Sequence, residues 1–283
     1  MWYKSYEFYK NLDKKDYEKE LCDWYKFYTG KNLDLNNPKS FNEKIQWMKL
    51  HDSTELKGLC ADKYKVKEWL INELGTDYSI KTLGVYDKFD DIDFDKLPDK
   101  FVLKANHGSG WNILVKDKNK LDLVDAKKKF DDWMSKDFSF IDGFQMHYQY
   151  IERKIIAEEY IECDGGLTDY RIHCYNGIPR DIWIDMNSGT RNHLRSIYDI
   201  DYNKQDVTCT WPDIGEIEKP KNYDLMVEIS KKVSRYFKFV RVDFYEVDGK
   251  LYIGELTFTP LSGIGSYKPD SYNYLQGSWI DLS

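Results

Sequence analysis

Toward its C-terminus the chain carries two strand-length apolar runs, residues 240–245 and 251–260, joined by a turn holding Asp248-Gly249. Asp-Gly between such runs is a strong hairpin signal, because the tight turn needs positive φ at both central positions. Each run holds one carboxylate among apolar neighbours, Asp243 on the first and Glu255 on the second. A hairpin can bring two such side chains together on one face. Adjacent carboxylates repel unless a cation or a proton lies between them. Hard divalent cations such as Mg²⁺ suit carboxylate oxygens and commonly carry substrate phosphates. The hairpin therefore reads either as a Mg²⁺ site for a nucleotide or as two solvated charges on an edge.

At 283 residues the chain is long enough for one large domain or two smaller ones with a sizeable core. With 41% hydrophobic residues it should be globular rather than disordered. The net charge of −7 argues against a general nucleic-acid binder but leaves room for a local basic pocket. Five cysteines, an odd number without a Cys-x-x-Cys pair, read as free thiols in a reducing compartment. No apolar signal core opens the chain, and no run approaches the ~20 apolar residues of a membrane span. A soluble cytoplasmic protein is expected, and the sequence sets no oligomeric state.

In chain order, residues 1–30 read as an amphipathic helix burying Leu21, Trp24, Tyr25 and Tyr28, stopped by Gly30. Ser40 and Glu43 form a capping box before a second helix. A further helix is expected from about Ser53 through Leu70, ending before Gly75, then a strand over 80–86. Residues 101–115 read as strand, glycine-containing loop, strand. Lys104 stands in an otherwise apolar strand there, before His107-Gly108-Ser109-Gly110. Such a loop lets backbone N–H groups approach phosphate, and Lys104 could supply a fixed charge. It is neither a Walker A loop nor a Rossmann fingerprint; an ordinary tight turn has the same composition, and His107 reads as a phosphate donor or a structural residue.

Residues 124–150 read as a helix, and 154–161 as a strand ending in Glu158-Glu159. Its edge offers backbone groups for an adenine and an acid for ribose hydroxyls. A turn at Gly165-Gly166 follows. Residues 169–184 read as a second hairpin turning at Asn176-Gly177, with Arg171 and His173 on one face. Residues 187–213 read as loop, its Arg191, His193 and Arg195 facing either solvent or an anionic substrate. A helix over 223–236 precedes the carboxylate hairpin, and the tail from Ser262 reads as irregular.

In this order, the pieces resemble the ATP-grasp superfamily and, more closely, the TupA-like ATP-grasp amidoligase family of bacterial surface-polysaccharide and teichuronopeptide biosynthesis. The resemblance is carried by Asn37-Pro38 through Phe41-Asn42-Glu43-Lys44, Ala61-Asp62-Lys63-Tyr64, Phe101-Val102-Leu103-Lys104-Ala105-Asn106-His107-Gly108-Ser109-Gly110, Ile156-Ala157-Glu158-Glu159-Tyr160, Asp169-Tyr170-Arg171, and Arg241-Val242-Asp243-Phe244 through Gly254-Glu255-Leu256-Thr257-Phe258-Thr259-Pro260. It implies an α+β or α/β fold in which two subdomains with antiparallel sheets clamp ATP. The expected division is an N-terminal helical and small α/β region over 1–95, a lid subdomain with the glycine loop over 96–162, and a C-terminal subdomain with the metal hairpin over 163–283.

The resemblance further implies that Lys104 contacts the phosphates and that the loop with His107, Gly108, Ser109 and Gly110 covers them. Glu158, Glu159, Tyr160 and Ile161 would form the adenine hinge. Asp243 and Glu255 would ligate Mg²⁺, with Thr257 where the superfamily commonly has Asn. Lys63 and Lys65 are candidates for a second phosphate lysine. Lys104 and Arg241 would neutralise charge during carboxylate activation, and Arg171, Arg191 and Arg195 would hold the acceptor. The implied activity is ATP-dependent amide formation between a uronic acid, of a glycan or a nucleotide sugar, and an amino acid or small amine. A glycosyltransferase or a sugar kinase is the competing reading; Asp91-Ile92-Asp93 and Asp199-Ile200-Asp201 carry the Asp-x-Asp string that the former would use.

Overall fold

In the computed structural model, which describes residues 3–163 and 166–283, two antiparallel sheets lie on either side of a cleft. Gly165 of the expected Gly165-Gly166 turn lies outside the described residues. The N-terminal third is helical: α1 (Tyr6–Lys10), α2 (Tyr17–Thr29), α3 (Phe41–His51), α4 (Glu55–Ala61) and α5 (Lys65–Leu74). Gly30 ends α2 in the left-handed conformation, and the Ser40–Glu43 capping box opens α3.

The expected single helix over 53–70 is instead α4 and α5, broken at Asp62-Lys63-Tyr64. The Asp62 carboxylate accepts from the N–H groups of Tyr64 and Lys65 at 2.8 and 3.2 Å, a local side-chain cap that competes with helix continuation. The break has a positional consequence, because it turns Lys63 out of the helix.

The first sheet has the order β1-β4-β2-β3, from β1 (Thr82–Tyr86), β2 (Phe101–Ala105), β3 (Asn112–Val115) and β4 (Ile155–Glu159). Its core of Phe101, Leu103, Ala105, Ile155 and Ala157 packs on Phe130 of α6 (Leu123–Ser135). Helix α6 is shorter than the expected 124–150. Beyond Ser135 the chain makes single 3₁₀ turns, and Gly143 and Phe144 both take positive φ, which no helix accommodates. This sheet includes β1 and so spans 82–159.

The second sheet has the order β10-β9-β5-β6-β7. Its strands are β5 (Thr168–Tyr175), β6 (Ile178–Met186), β7 (Leu194–Asp199), β9 (Phe239–Val247) and β10 (Lys250–Thr257). Both predicted hairpin turns are present, with positive φ at Asn176-Gly177 and at Asp248-Gly249. One face, bearing Ile172, Ile182, Val240 and Val242, packs on α4, α5 and α7 (Tyr223–Ser234). The opposite face is divided. Trp183, Tyr175 and Phe239 at one end are covered by Phe41 and Ile45 of α3 and Tyr272 of α8 (Ser271–Ser278). The other end carries a row of charged side chains.

Two expected irregular regions are ordered. Residues 187–213 contain β7 and β8 (Thr208–Cys209), the latter paired with β11 (Tyr267–Lys268) in the tail, and the tail also forms α8. In both, the buried polar residues find partners, so the apolar periodicity that would announce an element is weak. Arg195 is neutralised by Asp185, while Gln276 and Asn273 bond Asp181 and the Asn42 N–H. The Asp199-Ile200-Asp201 string closes a tight turn, its Asp199 carboxylate accepting from the N–H groups of Asp201 and Asn203. Cys60, Cys174 and Cys209 are buried thiols.

Candidate functional site

The two hairpin carboxylates do meet, by a route that strict alternation would not give. From the turn, Tyr245 pairs Tyr252 and Phe244 pairs Ile253, a register that would set Gly254 opposite Asp243. A β-bulge at Gly254 inserts one residue, so Glu255 stands opposite Asp243 and Thr257 opposite Arg241. The Tyr245 ring occupies the space that a side chain at 254 would take. Arg241 forks onto both Asp243 oxygens, with Nε to Oδ1 at 2.6 Å, and reaches Glu255 Oε1 at 3.3 Å. The Thr257 hydroxyl accepts from Arg241 at 3.1 Å and donates to Glu255 at 3.0 Å.

The two acids are driven apart in acidity. Burial pushes Asp243 up to about 7 against Arg241 and Arg171. Burial also opposes ionisation of Glu255, but Lys63, Arg241 and Arg171 outweigh it and hold the carboxyl down to about 2. Glu255 keeps a third of its side chain exposed, whereas Asp243 is closed in. The ionised carboxylate that keeps solvent access is therefore Glu255.

Three lysines converge on this hairpin and the first sheet. Lys63 donates to the Gly108 carbonyl and lies 3.9 Å from Glu255, and burial lowers its pKa. Asn106 fixes the helix break that presents it: its amide donates to Asp62 at 3.0 Å and its carbonyl accepts from the Lys63 N–H at 3.2 Å. Lys104, on β2, pairs with Glu158 at 2.6 Å, and Lys67 of α5 pairs with the same carboxylate. Burial raises the Glu158 carboxyl, but the two ammonium groups prevail and hold it below its ordinary value. Of the two candidate lysines, Lys63 is at the site; Lys65 pairs with Glu152 at 3.6 Å with half its side chain in solvent. Lys67 escaped the sequence reading, although Lys63 and Lys67 stand four apart, the spacing of one helical face.

A cleft of about 460 Å³ runs between the sheets, lined by Lys104, Asn112 and Glu159 from the first, Tyr245 from the second, and Tyr160 and Ile161 on the connection. Of the four expected hinge residues, three line it. Glu158 does not; its carboxylate is 4% exposed and held by two lysines. The glycine loop divides: Gly108 is buried against Trp111 and Phe138, while Ser109 and Gly110 are exposed at its tip. His107 is buried beside the first sheet, its ring edge-on to Trp111 and 3.3 Å from the Trp133 carbonyl. Burial lowers its pKa to about 4, so it is neutral and gives no positive charge to a phosphate.

Beyond Asp243 the charged row continues across the sheet. Arg171 lies opposite Asp243, 3.8 Å from it, and bonds Asp185. Asp185 also takes the fork of Arg195, 2.6 Å for each contact, and lies 3.1 Å from His193. Burial opposes its ionisation, yet these cations hold it far below the carboxylate range. Arg195 is fully buried between Trp183 and Trp211, so the expectation that it holds a substrate is corrected: it is the partner of Asp185. Arg191 is exposed on the preceding loop. Asp185 was legible as a lone charge in the apolar run Ile182-Trp183-Ile184.

Residues 43–281 match the profile of the TupA-like ATP-grasp family. The chain belongs to that family. No curated protein matches it. Among solved structures it is similar to the D-alanine–D-alanine ligase of Bacillus anthracis complexed with ATP, at 18% identity and a TM-score of 0.42, covering 71% of this chain and 54% of that one. The Helicobacter pylori D-alanine–D-alanine ligase matches at 14% identity and a TM-score of 0.45, over 80% and 60%. N5-carboxyaminoimidazole synthase from Aspergillus clavatus, in complex with ADP and 5-aminoimidazole ribonucleotide, matches at 8% and 0.42, over 75% and 46%. The chain spans about half the length of these structures.

In this ATP-grasp chain the donor set fits magnesium carried on a nucleotide rather than a closed cage. Among the described residues no group of three or more His, Cys, Asp or Glu gathers. Mg²⁺ characteristically takes one or two carboxylates and completes its shell with phosphates and water. Glu255, ionised and partly open, with the Thr257 hydroxyl beside it, meets that requirement; Asp243 lies behind them under the Arg241 fork. Among the described residues no helix is long and apolar enough to cross a membrane.

Proposed function

We propose that the chain is an ATP-dependent carboxylate–amine ligase that makes an amide through an acyl phosphate. The observation that carries this reading is the cluster of Glu255, Thr257, Arg241 and Lys63 at the carboxylate hairpin, with Lys104 on the facing sheet lining the cleft between the two, in a chain of this family. In the proposed reaction a substrate carboxylate oxygen attacks the γ-phosphorus of ATP, and ADP leaves with the bridging oxygen. An amine then attacks the acyl carbon, expels phosphate and loses a proton. Mg²⁺, when bound, would supply charge neutralisation at the β- and γ-phosphate oxygens. Glu255 would hold it, with the Thr257 hydroxyl as a neutral neighbour and Asp243 behind them under the Arg241 fork.

The chain's own residues orient and neutralise. Lys104 would meet the phosphates from the lid and Lys63 from the helix break. Arg241 is set to balance charge that develops on the transferred phosphoryl group. Glu159, Tyr160 and Ile161 would receive the base and ribose. Arg171, anchored by Asp185, and the exposed Arg191 would receive the acceptor, which we propose to be a uronic acid of a surface glycan or its nucleotide-sugar precursor. The amine would be an amino acid or small amine. We take residues 82–159 as the lid.

The test is ADP release from MgATP with a panel of uronates and nucleotide-linked uronates and a pool of amines, followed by mass spectrometry. ADP together with a product one water lighter than its two substrates is expected. A phosphorylated hydroxyl formed without need of an amine would replace the ligase reading with a kinase.

A further inference from the structure

A second cleft, of about 810 Å³, opens on the far side of the glycine loop, between α1 and α6. Its volume falls in the roughly 300–1,000 Å³ range of ligand pockets. Ser109 and Trp111 line it, whereas Asn112 lines the nucleotide cleft, so one short loop is the partition between the two. The walls are aromatic: Trp111 and Trp133 lie parallel, 5° apart with centroids at 6.2 Å, Phe138 stands edge-on to Trp111, and Tyr6 closes the N-terminal side. Both indoles are only partly buried.

The cations lining this cleft are paired, and the Asp142 carboxyl, which also lines it, is raised by burial against the pull of Lys49. Lys136 pairs with Asp132 at 2.6 Å, and Lys4 pairs with Glu20. The Ser5 and Ser109 side chains add hydroxyls. An anion would find no unpaired ammonium here. A pyranose ring would find both things it needs. Its axial C–H face packs on an indole face, and its equatorial hydroxyls both donate and accept, as do a carboxylate–ammonium pair and serine hydroxyls at the edge. A nucleobase would use the indoles but leave the charged pair without purpose.

We propose that the cleft between α1 and α6 is a saccharide-binding subsite that seats sugar rings of a glycan acceptor. The role as an acceptor subsite rests on the ligase reading; the binding of sugar does not. The shared loop would place a glycan held here next to the phosphates on its other face.

The probe is a glucuronate-containing tetrasaccharide, titrated by calorimetry into the full chain with a nonhydrolysable MgATP analogue present. Saturation-transfer NMR would report which sugar protons touch protein. Wild type should bind, with transfer strongest at ring C–H protons. Trp133→Ala should raise the Kd at least tenfold. Trp133 bonds His107 only through its carbonyl, so the lid contact survives that change. Lys136→Ala, at a partly exposed position at the end of α6, should raise Kd severalfold, and both variants should keep wild-type affinity for the analogue. Tetrasaccharide bound equally by wild type and both variants would overturn the subsite while leaving the ligase reading standing. So would analogue bound without tetrasaccharide. If the analogue failed to bind while sugar bound through Trp133, the ligase reading would fall and the subsite would stand.

Discussion

Lys104 lines the cleft and Lys65 does not, and their surroundings separate them further. Lys104 shares the buried Glu158 with Lys67, so its removal leaves that carboxylate one partner and the sheet intact. Lys104→Ala should weaken ATP binding by about 1.5–3 kcal/mol, the range for a hydrogen bond to a charged group, or roughly 10–100-fold. Lys65→Ala, at a half-exposed rim position, should leave nucleotide affinity within about twofold. Equal losses in a fluorescent-nucleotide titration would contradict the assignment of Lys104. His107 makes a second residue-scale case. Its folded pKa of about 4 lies below the ordinary 6.5 because the ring is buried. A histidine held neutral contributes stability above pH 6.5 that is lost as pH falls from 6.5 toward 4, at about 1.4 kcal/mol per pH unit. Its imidazole resonances should therefore stay at neutral shifts from pH 8 to pH 5; a titration near pH 6.5 would return it to solvent and to the phosphate role.

Gly254 decides the register of the carboxylate hairpin. A Cβ there would lie 2.7 Å from the Tyr245 ring, so Gly254→Ala must move that ring, which lines the cleft between the sheets, or relax the bulge. Relaxing it moves Glu255 opposite Val242 and onto the other face of the sheet. Activity should fall by at least tenfold while Tm changes by only a few degrees; an active variant of normal Tm would show that the bulge is dispensable. Gly277 is the contrasting case. Its added Cβ would sit 2.1 Å from the Lys39 carbonyl oxygen and 2.6 Å from the Ser40 carbonyl carbon, main-chain atoms that cannot step aside. Gly277→Ala should cost roughly 3 kcal/mol or more by forcing α8 off α3, read as a lower denaturant midpoint. These elements also mark what a sequence reader could see. Asp248-Gly249 and Asn176-Gly177 announce their turns by composition, and the Ser40–Glu43 box announces its helix. The bulge does not, since Gly254 could equally be an ordinary strand position. Strand β7 stays hidden because Arg195 reads as solvated until Asp185, ten residues away, neutralises it. The break that sets Lys63 is hidden because Asp62 caps the next helix only once Asn106 holds it.

The molecule has separate apolar cores on the two sides of its cleft, one between the first sheet and α6, the others on the faces of the second sheet. A nucleotide lodged between the sheets joins these bodies, so its binding should register on both. Ligand at about 100 times its Kd stabilises the folded state by about 2.7 kcal/mol. At roughly 2–4 °C per kcal/mol for chains of this size, MgATP should raise Tm by about 5–10 °C. Part of that gain belongs to the metal. The carboxylate that Lys63, Arg241 and Arg171 keep ionised, and that remains partly exposed, is Glu255, not Asp243. Glu255→Gln should thus abolish the magnesium-dependent share of the Tm gain and keep the share that ATP gives in EDTA. Hydrogen exchange adds the spatial half of the argument. MgATP should slow exchange in β2 and β3 and in β9 and β10 together, since Lys104 and Arg241 stand on opposite sheets. Slowing confined to one sheet, or a Glu255→Gln protein that gains as much Tm from MgATP as wild type, would show that the nucleotide is not held between the hairpin and the lid.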